Sequence, residues 1–108
     1  MESLNSDPRV LLVDDVVKTR LYLEYNLEQC GYSDVITAGN VDEALIKLRS
    51  IPIDIIIARL NMMPQSGIDL LTIIQQDPVL KDLSVVLFLS TETEQMLPDI
   101  HLWKIYSV

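Results

Sequence analysis

Asp54-Ile55-Ile56-Ile57-Ala58-Arg59-Leu60-Asn61-Met62-Met63-Pro64-Gln65-Ser66-Gly67 is the stretch that decides how this chain is read. Its apolar opening is too short for a helix and rich in β-branched isoleucine, the composition of a strand buried on both faces of a parallel sheet. The strand ends on a charge, Arg59, and the polar, turn-forming residues beyond it predict a loop. In open parallel α/β sheets, ligands and chemistry sit in the loops past the carboxyl ends of the strands, so Arg59 and its loop are the first candidates for function.

The same kind of segment recurs on both sides. Arg9-Val10-Leu11-Leu12-Val13 is a short apolar run closing on Asp14-Asp15, a strand with two carboxylates at its carboxyl end. Two adjacent acids there need a cation to offset their loss of water. Val17 to Cys30 has helix formers, with Leu23, Leu27 and Cys30 at helical spacing, and Gly31 stands where a helix stop favours φ > 0. Val35-Ile36-Thr37-Ala38 predicts a second strand. Gly39-Asn40 then leads into a helix with Val41, Ala44, Leu45 and Leu48 on one face and Asn40 and Glu43 in capping-box spacing. Pro52 ends that segment.

After Gly67 a helix is expected through Gln76, with Ile68, Leu71, Ile73 and Ile74 as a broad apolar face, closed by Asp77-Pro78. Leu83 to Ser90 reads as a fourth buried strand. Right-handed crossovers in this alternation give a three-layer, doubly wound α/β fold around a parallel sheet. Beyond it, Thr91 to Leu97 suggests the start of a helix before Pro98, and Ile100 to Tyr106 a short last strand, so the carboxyl-terminal unit is expected to be incomplete.

Composition narrows the function. A chain of 108 residues has room for one domain, and its formal charge of −8 argues against nucleic acid or an anionic membrane as a partner. Cys30 is the single cysteine, and no Cys/His spacing resembles a zinc site. No run approaches the roughly 20 apolar residues that span a bilayer. A soluble, cytoplasmic protein is expected, with residues 1–8 a disordered leader and 9–108 one domain.

Val10-Leu11-Leu12-Val13-Asp14-Asp15, Gly31-Tyr32, Asn40 to Leu48 and Asp54 to Leu89, in this order and spacing, resemble the receiver domain of two-component response regulators across residues 9–90. The resemblance implies a flavodoxin-like sheet of strand order 2-1-3-4, here with a possible short fifth strand. It also implies that first-strand acids and a backbone carbonyl beyond the third strand hold Mg²⁺ while an Asp ending the third strand accepts a phosphoryl group. A hard cation there neutralises the carboxylates and the charge of the transferred group.

Asp14 and Asp15 match the metal-binding pair, Asn61 and Met62 the positions two and three beyond the acceptor, and Gly67 the glycine that opens the next helix. The acceptor position then falls on Arg59, or on Leu60 if Pro64 is aligned and one Met is inserted. Neither is an acid, and Asp54, about 16 Å away at the start of the strand, cannot substitute. The hydroxyl that ends the fourth strand falls on Leu89, or on Ser90 with one residue inserted; the switch aromatic falls on His101 and the fifth-strand lysine on Lys104.

Arg59 is therefore expected to lie in an acidic pocket with Asp14, Asp15 and Asn61, replacing the cation that the resemblance implies. The plain alternative is an arginine that reaches solvent on its aliphatic stem. No cofactor is expected, with Mg²⁺ on Asp14 and Asp15 as the disfavoured alternative. A lone His101 is ordinarily structural, Trp103 and Tyr106 are packing or interface residues, and Met62 and Met63 are loop residues that cover the core or serve a partner surface.

The function expected is a phosphorylation-independent pseudo-receiver, not an enzyme, that contacts a histidine kinase, a regulator or an output domain. A working Mg²⁺-dependent phosphoacceptor and a structural remnant are the alternatives. With the last unit incomplete, a bare fourth-strand edge from Val85 to Leu89 is expected to pair copies into a homo-oligomer.

Overall fold

The computed structural model describes residues 8–91 and 99–106, with residues 90–91 and 99–106 described as backbone. The elements are β1 (Val10–Val13), α1 (Val17–Gln29), β2 (Val35–Ala38), α2 (Val41–Ser50), β3 (Ile55–Arg59), α3 (Gly67–Gln76), β4 (Ser84–Thr91) and β5 (Asp99–Tyr106). They form one sheet of order β2-β1-β3-β4-β5. The first four strands are parallel, with Val10 opposite Val35 and Ile55, and Ile55 opposite Ser84. This is the doubly wound 2-1-3-4 arrangement expected from the alternation of apolar runs and helical segments.

Strand alternation divides the interior. On one face Leu11, Val13, Ile56, Ala58, Val85 and Leu87 join Val41, Ala44 and Leu48 of α2 and Leu70, Leu71 and Ile74 of α3 in a single buried cluster. Val10, Leu12 and Phe88 are buried on the other face, where α1 turns its buried Thr19 inwards. The rung after Val13 and Ala58 brings Asp14 and Arg59 side by side on the α1 face, at the carboxyl end of the sheet.

Local chemistry starts and stops the helices where the loops need them. Asn40 accepts the Glu43 N–H at 2.8 Å while Glu43 Oε1 accepts the Gly39 N–H at 2.7 Å. A full capping box, with Ser66 and Asp69 each bonding the other's backbone N–H, opens α3. Gly31, with φ 102°, follows α1 in the left-handed conformation that glycine adopts without strain. At Gly67 the reason is space: a Cβ there would lie 2.4 Å from the carbonyl oxygen of Arg59.

β5 corrects one expectation. It runs antiparallel to β4, from Asp99 opposite Thr91 to Tyr106 opposite Val85, with a register shift between Leu87 and Phe88. The edge of β4 is thus paired, and the bare edge on which a homo-oligomer was expected to form does not exist. An antiparallel neighbour satisfies that edge without a crossover helix. Thr91 belongs to the strand; the rest of the expected helix start and residues 1–7 of the expected leader lie outside the described residues. Among the described residues no helix is long and apolar enough to cross a membrane.

Because backbone blocks the space beside Gly67, Gly67→Ala is expected to destabilise the fold by about 1–3 kcal/mol, the usual cost of overpacking. Urea unfolding measures this directly, and an unchanged midpoint would contradict the close approach of α3 to β3.

Candidate functional site

Arg59 ends β3 only 2% exposed, so its guanidinium cannot be solvated and must find partners inside. Its Nε donates to Asp14 Oδ1 at 2.8 Å and lies 3.8 Å from Asp15 Oδ1. Nη2 donates to Thr19 Oγ1 at 3.0 Å, and Nη1 to Asn61 Oδ1 at 3.3 Å. The guanidinium carbon lies 5.9 Å from the centre of the Phe88 ring, within cation–π range. Groups from β1 and its loop, α1, the loop after β3, and β4 therefore converge on one side chain.

The two acids are fastened by backbone as well. Val16 N–H donates to Asp14 Oδ1 at 2.9 Å, and Met63 N–H donates to Asp15 Oδ2 at 3.1 Å, which ties the loop after β3 to the loop after β1. Arg20 Nη1 donates to the Asp14 carbonyl at 2.7 Å. Asp14 Oδ2 and Asp15 Oδ1 are buried without a hydrogen-bond partner. Burial pushes the Asp14 carboxyl above its ordinary 3.8, with Asp15 adding to the rise; the Val16 N–H and the Arg59 guanidinium oppose it without cancelling it.

Of the residues singled out from sequence, the structure brings Asp14, Asp15, Arg59 and Asn61 together. It adds Thr19 and Phe88, which were not singled out. Thr19 carries a faint signal, a hydroxyl on the inward side of α1, whereas Phe88 is revealed only by its register opposite Arg59.

Residues 10–101 match the response regulator receiver domain family. This chain belongs to that family. A probable chemotaxis protein CheY of Rhizobium etli is 29% identical over 79 residues, covering 73% of this chain and 61% of the relative. The alkaline phosphatase synthesis transcriptional regulatory protein PhoP of Bacillus subtilis is 35% identical over 67% of this chain and 30% of its own length. The chain thus spans three fifths of the first relative and under a third of the second. Among solved structures, a response regulator receiver protein from Pseudomonas putida superposes with a TM-score of 0.73 at 30% identity, covering 82% of this chain and 73% of that one.

In this receiver, the two carboxylates that would hold the Mg²⁺ implied by the family resemblance both face a guanidinium. A guanidinium already bonds one of the two carboxylates that would hold the ion and stands beside the other. A second cation there meets a fixed like charge. Among the described residues no group of three His, Cys, Asp or Glu side chains is placed to hold a metal.

The positions matched to a receiver's switch lie on β4 and β5. Leu89 follows Phe88, the partner of Arg59, so alternation puts it on the opposite face of the sheet. The backbones of Ser90, His101 and Lys104 lie opposite Ile100, Leu89 and Leu87 respectively. Lys104 is therefore level with Ala58, below Arg59, with β4 between them. Lys104 does fall on the fifth strand, which runs antiparallel to β4.

Removing Arg59 strands a buried carboxylate, so Arg59→Ala is expected to cost about 3–5 kcal/mol in urea unfolding. Adding Asp14→Asn to that variant should recover part of the loss, and additive losses would contradict the coupling. The raised Asp14 pKa sets a pH dependence with a definite sign. The native state keeps a proton that the unfolded chain has released, so this group's contribution is full below 3.8 and is lost as pH rises through the folded pKa. Against Asp14→Asn, wild-type stability should fall across that window; parallel stability–pH curves would contradict it.

Proposed function

We propose that this receiver works in two-component or phosphorelay signalling without being phosphorylated, through contacts with other proteins. One observation carries the reading: the slot in which a phosphoacceptor carboxylate is expected holds Arg59, buried and bonded to Asp14. A guanidinium has no oxygen to attack a phosphorus atom, and the alternative register offers Leu60, which has no nucleophile either. On this reading the domain catalyses nothing. It presents a fixed surface to a histidine kinase, a regulator or an output domain, the partner classes that receiver membership suggests.

The test is incubation with a small phosphodonor and Mg²⁺, followed by intact-mass measurement. The expected spectrum shows the unmodified chain alone. A stoichiometric gain of one phosphoryl group, mapped to Asp14 or Asp15, would overturn the reading and favour the working phosphoacceptor.

A further inference from the structure

We infer that the Arg59 guanidinium is the resident cation of this pocket, and that with Arg59 in place the pocket takes up neither Mg²⁺ nor another hard divalent ion. The inference rests on the reading of the domain as unphosphorylated and assigns the cation of that same site. Three observations carry it. Arg59 Nε is 2.8 Å from Asp14 Oδ1 and 3.8 Å from Asp15 Oδ1, so one atom serves both carboxylates as a shared cation would. Thr19 and Asn61 accept from the other two nitrogens, which orients the planar group against the two carboxylates. The Arg59 side chain is 3% exposed and that of Asp14 is fully buried, so solvent does not screen their charges.

Asp14 Oδ2 and Asp15 Oδ1 sharpen the point. They are the buried oxygens left without hydrogen bonds, and they belong to the same two carboxylates that the guanidinium already serves. The pocket therefore retains oxygen ligands suited to a hard cation, and Arg59 is what opposes one. Taking the guanidinium away should turn the pocket into a divalent-cation site. A unit charge within 4–6 Å ordinarily changes an ionic equilibrium by about 10- to 1,000-fold, so a gain of about 100-fold in Mg²⁺ affinity is expected.

The experiment is a Mg²⁺ titration at constant ionic strength, followed through the backbone amides of Val16 and Met63, which donate to the two carboxylates. Wild type should show no saturable shift. Arg59→Ala, and Arg59→Gln as a variant that keeps more of the side-chain volume, should show saturable shifts that added guanidinium ion reverses. Saturable Mg²⁺ binding at this pocket in wild type overturns the inference, as do folded variants that ignore Mg²⁺. If neither variant folds, with or without Mg²⁺, the wild-type titration decides. A wild type that binds Mg²⁺ yet gains no phosphoryl mass refutes this inference alone, whereas a gain of phosphoryl mass refutes the reading on which it rests.

Discussion

A buried arginine facing a buried aspartate organises this molecule at the end where receivers do their chemistry. Neither charge is tolerable alone: each has lost its water, and the hydrogen bond between Arg59 and Asp14 is what makes both acceptable. Much of the surrounding geometry supports that bond. Val16 and Met63 hold the two carboxylates through backbone N–H groups, Thr19 and Asn61 orient the guanidinium, and Phe88 lies within cation–π range. An ion pair of this kind adds little net stability compared with an apolar substitute, but it penalises heavily any rearrangement that separates its members.

That distinction bears on how the domain signals. In receivers that switch, an added charge biases a surface between two arrangements. Here the cation beside Asp14 is covalently part of β3. At the far side of the sheet an antiparallel strand lies beside β4, and Lys104 is level with Ala58. The four parallel strands keep the order 2-1-3-4.

The legible and illegible parts of the sequence divide along physical lines. Each parallel strand is a continuous apolar run bounded by turn residues, so β1 to β4 could be read directly, and Asn40 with Glu43 marked the start of α2. The pairing of Arg59 with Asp14 was legible because two adjacent acids at a strand end demand a cation. Thr19 and Phe88 were not, because their contacts depend on the rotation of α1 and the register of β4, which residue identity alone does not specify. The direction of β5 was hidden for a similar reason, since an apolar run reads the same whichever way the strand travels. The Ser66–Asp69 capping box is a local signal of the same kind as Asn40 with Glu43, at the start of α3.

Met63 sits at the meeting point of inside and outside. Its amide is bonded to Asp15, one of the two carboxylates around the guanidinium, while the residue as a whole is 76% exposed. The loop that carries it is clipped at its base, where the Gly67 N–H donates to the Leu60 carbonyl at 2.9 Å and α3 begins at once. Met63 is therefore a handle on a short, braced arm. One backbone hydrogen bond thus joins the exposed surface of the loop to the acidic pocket, so a shift of Met63 is at once a change in the hydrogen bonding of Asp15.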